Sequence, residues 1–386
     1  MSRIENQGRL FLELIEELRP HWRKDPGLPN RLSEWLARHR AGSRDRRLYR
    51  ELAYTAWRIL PWIEDAAPET LIQRVATHAN STKDTVDFIA QFAAPDAAPS
   101  GPRAELLPDW LADQCPDALA SQQCDALLDR APLWIRIQTD DDAAVAQELT
   151  DLQIPFEVSE AVPGAWKLPT ESRVTQTNAY QQGLIEVQDI GSQALFHSLP
   201  GPLRGNWLDA CAGAGGKTLQ LAKMLQGAGG TVTAHDIRPK PLRELQTRQK
   251  RAGLANITVS RSVAGKFDGV LVDAPCTGSG TWRRSPHLKW TTTPARIQRA
   301  QEQQLLLLAH FSQLVEVGGL LVYATCSLCR DENEGVVDAF RRDHPAFRPV
   351  SLQHPATGDE LTEGSMTLLP AELDSDAYFM AAMRRT

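Results

Sequence analysis

The 386-residue chain is poor in cysteine: it has six, and Cys326 and Cys329 lack a second close pair at zinc-ligand spacing. A disulfide framework and a structural zinc site are both disfavoured, and a reducing, cytoplasmic setting is expected. No apolar run approaches the ~18 residues of a membrane span. The first ten residues hold no apolar stretch of signal-peptide length, so no association with a membrane is expected. Excess positive charge is also missing, since 42 Lys and Arg face 48 Asp and Glu for a net charge of −6. That balance argues against a surface coated in phosphate-binding cations. The charge is unevenly spread, however. Residues 1–50 carry 12 Lys and Arg against 7 Asp and Glu, densest at Arg38, Arg40, Arg44, Arg46, Arg47 and Arg50. Such a cluster serves equally as a solvated helix face or an RNA contact.

What is present suits two or three domains, each with its own core. From Gly8 to about Ile89 apolar residues recur at helical spacing, as in Leu10, Leu14 and Leu18 and again in Leu48, Leu52, Trp57 and Leu60. This predicts a helical bundle. Ala93 to Pro102 concentrates Pro, Ala and Gly and reads as a linker, with a boundary near residue 100. Leu133 to Gln138 alternates like a strand, Asp141 to Leu152 has helical spacing, and strand-like pieces follow around Phe156 and Trp166, predicting a small α/β module. After Gln188, apolar strands near Trp207, Thr231, Ile257, Gly269 and Leu320 alternate with helices. The pattern predicts a mostly parallel sheet covered by helices, with ligands at the carboxyl ends of its strands.

Three motifs sit at such strand ends. Asp209-Ala-Cys-Ala-Gly-Ala-Gly-Gly-Lys-Thr218 follows a strand and opens a helix, and its glycines allow a tight turn and close approach to a ligand. The Gly-Lys-Thr ending invites a P-loop reading, but the glycines bunch at 213, 215 and 216 instead of taking the spacing that motif needs. The next strand ends at Asp236, where a carboxylate can accept both hydroxyls of a ribose, so a nucleoside-containing cofactor is the better reading. Leu271-Val-Asp-Ala-Pro-Cys-Thr-Gly-Ser-Gly280 sets Asp273 and Cys276 at the end of one apolar strand, and Leu320-Leu-Val-Tyr-Ala-Thr-Cys-Ser327 sets Cys326 at the end of another. A lone cysteine is ordinarily an inert core residue. Two at matched strand tips can converge on one pocket.

Together these motifs resemble those of the RsmB/Nop/Sun family of RNA cytosine-5 methyltransferases. The likeness extends to Val187-Gln-Asp-Ile-Gly-Ser-Gln193, Gly280-Thr-Trp-Arg-Arg-Ser-Pro-His-Leu-Lys-Trp290, Gln303 on the following helix, and Glu332-Asn-Glu334. It implies an α/β fold: a class I (Rossmann-like) methyltransferase sheet over 186–386, preceded within 101–185 by a linker and a small ferredoxin-like α+β RNA-binding module. Residues 1–100 are similar to the NusB-like all-α domain of bacterial members, notably at Leu48–Tyr54 and Trp57–Leu60. Where the family pattern reads Ala-Pro-Gly-Gly-Lys, this chain has Gly213-Ala-Gly-Gly-Lys217. Between Ile257 and Phe267 the pattern has an acid on the cofactor's adenine side, and this chain has none. Near the C-terminus Asp376-Ala-Tyr-Phe379 stands for Asp-Gly-Phe-Phe.

The resemblance implies S-adenosyl-L-methionine as cofactor, held by Cys211, Ala212, Gly213, Ala214, Gly215, Gly216, Lys217, Asp236 and Asp273. It implies Cys326 as the nucleophile toward cytosine, Cys276 as the group assisting proton removal or product release, and Asp273 as the group that hydrogen-bonds the ring. Lys217 is expected beside substrate and cofactor. Arg283, Arg284 and Lys289, interleaved with Trp282 and Trp290, are expected to offer charge and stacking surface to unstacked RNA. Small-subunit ribosomal RNA is the leading substrate, with transfer RNA behind it, and neither a metal nor an obligate protein partner is expected. Two alternatives stand: a DNA cytosine-5 methyltransferase, whose nucleophile is the cysteine of the Pro-Cys motif, and a catalytically silent RNA-binding assembly factor.

Overall fold

A computed structural model describes residues 2–94 and 102–386, and the expected boundary near residue 100 lies outside them. The described residues fall into two compact units: Met1–Leu128 with Thr281–Thr293, and Asp129–Gly280 with Pro294–Thr386. In the first, α1 (Arg3–Leu18), α2 (Leu28–Arg38), α3 (Ser43–Arg58), α4 (Leu60–Ile63), α5 (Pro68–His78), α6 (Val86–Phe92), α7 (Leu111–Gln114) and α8 (Ser121–Leu128) follow one another. Residues three and four apart share a helix face, so Phe11, Leu14, Ile15 and Leu18 of α1 and Leu48, Leu52 and Ala56 of α3 are buried together. Ser2 starts α1 with a capping box, its hydroxyl accepting from the Glu5 amide. The unit runs to Leu128, past the expected boundary, because α8 buries Cys124, Leu127 and Leu128. Within the arginine cluster, Arg38 pairs with Glu17, Arg44 with Asp87 and Arg47 with Asp84.

The second unit opens with a four-stranded antiparallel sheet. Its elements are β1 (Leu133–Ile137), α9 (Asp142–Asp151), β2 (Glu157–Val158), β3 (Ala165–Leu168), α10 (Asn178–Gln181) and β4 (Ile185–Val187), with strand order β2-β3-β1-β4. That order and pairing are those of a ferredoxin-like fold, with the second helix reduced to one turn.

After α11 (Ile190–His197) the chain builds the large sheet from β5 (Asn206–Asp209), α12 (Gly216–Gln226), β6 (Thr231–His235), α13 (Pro239–Arg251), β7 (Ile257–Ser260) and β8 (Phe267–Asp273). The stretch Thr281–Thr293, with α14 (Leu288–Thr291), belongs to the helical unit. The sheet resumes through α15 (Pro294–Ser312), β9 (Val315–Thr325), α16 (Glu334–Asp343) and β10 (Phe347–Pro349). A small ribbon of β11 (Leu352–Gln353) and β12 (Glu360–Leu361) intervenes before β13 (Ser365–Leu368), α17 (Pro370–Leu373) and β14 (Tyr378–Arg385). The order is β10-β14-β9-β8-β5-β6-β7, with β13 also on β14. Strands β5 to β9 run parallel and β14 is reversed between β9 and β10, the class I arrangement.

The ferredoxin-like module and the large sheet share one core. Trp134, Val162 and Ala165 cluster with Trp207, Leu219 and Leu271, so no unit boundary falls at 185. The Gln188–Gln193 motif forms the joint. Gln188 accepts from Arg136 of β1 and donates to Ser192 and Gln220, while Gln193 donates to the Ile135 carbonyl at 3.2 Å. Both amide nitrogens find acceptors, while the Gln193 side-chain oxygen is left without a donor among the described residues. Among the described residues no helix is long and apolar enough to cross a membrane.

Candidate active site

Parallel strands present their carboxyl ends on one edge, and β5, β6, β8 and β9 bring the motifs there. Asp273 of β8 lies opposite Ala324 of β9, and the Ala274 amide donates to the Ala324 carbonyl at 2.9 Å. The residues that follow are thereby held side by side. The Cys276 and Cys326 sulfurs stand 3.4 Å apart. Gly280 locks the arrangement by donating its amide to the Cys326 carbonyl at 2.9 Å. A Cβ on Gly280 would fall 2.4 Å from the Ala377 carbonyl oxygen, so no larger residue fits without moving backbone.

Lys217, in the first turn of α12, is buried and pairs with Asp273 at 2.9 Å, its ammonium lying over the Tyr378 ring at 5.2 Å. Burial alone would depress its pKa. The Asp273 carboxylate, reinforced by Cys326 and Asp209, outweighs that and holds it above the ordinary value. The Cys276 thiol is pushed well up by its hydrogen bond with Cys326, then by burial and the nearby Glu332 carboxylate. Asp209 is fully buried and rises to about 7 through desolvation, although the Thr218 hydroxyl donates to it at 2.7 Å. Its second oxygen is buried with no well-aligned hydrogen-bond partner among the described residues, the Cys211 amide being the nearby donor.

The glycine loop takes the backbone shape its sequence demands. Gly215 has φ +90°, and a Cβ there would fall 2.6 Å from Leu245, whereas Gly213, at φ +53°, has little around it. Asp236 accepts from the Gly213 amide at 3.0 Å and from Arg238. Burial works against the Asp236 carboxylate, but the Arg238 hydrogen bonds hold it below the usual range. Exposed Ile237 follows it. A loop open over Gly213 and an acid at the tip of β6 fit the polar ends of a nucleoside cofactor. Cys211 to Lys217, Asp236 and Asp273 are the residues that would hold it. The loop is braced from below, since Arg136 donates to the Gly216 carbonyl at 3.0 Å and Arg248, paired with Glu186, to the Ala214 carbonyl at 2.7 Å.

One sequence expectation is corrected. Trp282, Arg283, Lys289 and Trp290 are buried, and of the five residues expected to meet RNA only Arg284 is exposed. Within the helical unit the Lys289 ammonium donates to the carbonyls of Arg58 (3.1 Å) and Leu106 (2.9 Å), and the Trp290 indole to that of Trp57 (2.6 Å). Trp57 and Arg58 end α3, where carbonyls lack partners inside the helix. Burial drives the Lys289 ammonium well below its ordinary pKa. On α15, Gln303 is exposed and its neighbour Gln304 is buried, donating to the Pro275 carbonyl at 3.0 Å and to Glu332 at 2.9 Å. Sequence reasoning also missed Asp209 and Tyr378. Asp209 was visible as the acid opening the glycine loop and Tyr378 stood within the Asp376–Phe379 motif, but neither was given a place in the site.

Fold and site together define a class I methyltransferase architecture with a thiol pair at the strand ends. A family model described as 16S rRNA methyltransferase RsmB/F matches residues 202–384. Ribosomal RNA small subunit methyltransferase B of Thermus thermophilus is 30% identical over 335 residues, 85% of this chain and 75% of that protein. Probable ribosomal RNA small subunit methyltransferase B of Bacillus subtilis is 30% identical over 297 residues, 72% of this chain. The matched region spans 66% of that relative's length, just under two thirds. The crystal structure of NSun6 from Pyrococcus horikoshii with SFG has a TM-score of 0.63 at 17% identity, covering 74% of this chain and 98% of that one, and shares the fold. The chain belongs to the RsmB/Nop/Sun family, whose class I members use S-adenosylmethionine.

Proposed function

We propose that this protein is an S-adenosylmethionine-dependent RNA (cytosine-5) methyltransferase acting on small-subunit ribosomal RNA, with Cys326 as nucleophile. The observation that carries the reading is the pair of sulfurs 3.4 Å apart beyond neighbouring parallel strands, with the buried Lys217–Asp273 ion pair on the same edge. The names of the Thermus and Bacillus relatives support ribosomal RNA as the substrate.

Carbon 5 of cytosine is a weak nucleophile until a thiolate adds to carbon 6. The Cys326 thiolate forms the sulfur–carbon bond, and the displaced ring electrons make carbon 5 electron-rich. S-adenosylmethionine, when bound, supplies an electrophilic methyl group. Once carbon 5 carries the methyl, its proton passes to a water molecule at the site, the electrons of that bond re-form the ring double bond, and Cys326 departs with its own electron pair. Cys276, kept as a thiol by Cys326, burial and Glu332, assists that departure. Lys217 places a cation beside the reacting groups, and Asp273 hydrogen-bonds the cytosine ring in the adduct. The base must leave its stack to reach a strand-end pocket, at a cost of a few kcal/mol, so loop or single-stranded RNA is the cheaper substrate.

The test is covalent trapping on small-subunit RNA transcribed with 5-fluorocytosine. Wild type and Cys276→Ala are expected to remain attached to it and Cys326→Ala to come free. The opposite pattern would assign the nucleophile to Cys276, as in DNA cytosine-5 methyltransferases. No methyl transfer to unmodified RNA by wild type would favour a silent assembly factor. Bisulfite sequencing of ribosomal and transfer RNA from a deletion strain, against its parent, identifies the RNA.

A further inference from the structure

Glu332 is fully buried just before α16, between the two cysteine loops. Four donors converge on its carboxylate. The Thr277 amide (2.8 Å) and the Gln304 side chain (2.9 Å) reach one oxygen, and the hydroxyls of Thr277 and Ser327 reach the other. An ionised carboxylate only accepts, so this environment suits it on every side. Thr277 follows Cys276 and Ser327 follows Cys326, so one side chain ties the chain just beyond each sulfur. Gln304 extends the tie to the Pro275 carbonyl, on the other flank of Cys276. Asn333 does the same at Cys326, accepting from the Thr325 hydroxyl at 2.6 Å and donating to the Ser327 carbonyl at 2.8 Å. Both cysteines are thus flanked on both sides by residues fastened to Glu332, Asn333 or Gln304.

We propose that Glu332 is the positioning residue of this site, setting the Cys276 and Cys326 loops in one register with Asn333 and Gln304 as its extensions. Its consequence for catalysis rests on the reading of Cys326 as nucleophile, but its geometric content does not. Replacing Glu332 by Ala strands four donors and releases both loops. Replacing it by Gln is milder. The amide oxygen can face the Thr277 amide, which only donates, and the Gln304 NH2, held as a donor by the Pro275 carbonyl, while its own NH2 faces two hydroxyls, which can turn to accept.

Two measurements on the 386-residue chain test this. In the first, diamide, a thiol oxidant, takes two electrons and two protons from Cys276 and Cys326 to form a disulfide, read by mass spectrometry of the linked peptides without RNA or cofactor. Wild type and Glu332→Gln are expected to cross-link at similar rates and Glu332→Ala about tenfold more slowly, because exchange-type chemistry depends on sulfur access and approach. In the second, methyl transfer, Glu332→Ala is expected to lose about a hundredfold in kcat with KM for RNA and for S-adenosylmethionine within about threefold, the signature of an interaction expressed in the transition state. Glu332→Gln is expected to recover most of it. If Glu332→Ala does not fold, Asn333→Ala, which releases the Cys326 loop alone, is read in the same cross-linking assay and is expected to slow. Wild-type cross-linking rates in the alanine variants, or no cross-link in wild type, would overturn the proposal. So would a loss confined to KM. A wild type that cross-links but transfers no methyl would sink the proposed function and leave the positioning role standing.

Discussion

Two consecutive stretches, 273–280 and 281–293, carry equally suggestive residues and meet different fates. The first holds a carboxylate and a thiol and joins the strand-end site, its backbone bonded to β9 and its side chains to Lys217 and Glu332. The second holds two tryptophans, two arginines and a lysine, the composition of an RNA-stacking surface, and most of it is buried in the helical unit against the open carbonyls of α3. Residue type alone did not separate the two. Indole and alkyl-ammonium groups serve a core as readily as a nucleic acid, provided main-chain acceptors meet their donors.

The sharpest way to break this comparison is one substitution in each stretch's own setting. Cys326→Ala, at the site that the first stretch joins, is expected to lower the methyl-transfer rate by at least about a thousandfold with little change in thermal midpoint, measured by labelled-methyl incorporation and calorimetry. Trp290→Ala in the second is expected to destabilise by about 3–5 kcal/mol in urea titration, as for other buried aromatic truncations. An unchanged midpoint together with weaker RNA binding would return that stretch to the RNA surface.

Asp209 gives a pH-dependent contrast. Its carboxyl rises from 3.8 to about 7 in the folded chain, so the folded state keeps a proton that the unfolded chain gives up. The sign follows: this group's contribution to stability falls as pH rises from 3.8 toward 7 and is flat above that. Between pH 5 and pH 8 Asp209→Asn is expected to remove roughly 2–3 kcal/mol of the decline seen in wild type. An identical decline in the variant would mean that Asp209 is already ionised at pH 5. Smaller still is the pair on α15. Gln304→Ala is expected to cost about 1–3 kcal/mol by leaving buried groups without partners, and Gln303→Ala and Arg284→Ala less than about 0.5 kcal/mol as exposed changes.

These contrasts also show how far the sequence could be read. Strand ends were legible because an apolar run followed by a chemically odd residue is a strong local signal, and Asp209, Asp236, Asp273, Cys276 and Cys326 all lie at or just past such ends. The inward turn of Gln304 was not legible, because 303 and 304 sit about 100° apart on a helix and only packing decides which of the two glutamines faces inward. The burial of Trp282 and Trp290 was not legible, since it depends on α3 ending where its carbonyls can be met from a stretch more than 220 residues later. The boundary expected at 185 dissolved for a similar reason. Trp134 and Trp207 lie in separate local patterns yet belong to one core.

The central claim concerns which sulfur bonds the pyrimidine. Wild-type protein trapped on 5-fluorocytosine RNA, digested with nuclease and protease and sequenced by mass spectrometry, answers it directly. The account predicts the nucleotide mass on the peptide containing Cys326; the same mass on the peptide containing Cys276 would contradict it.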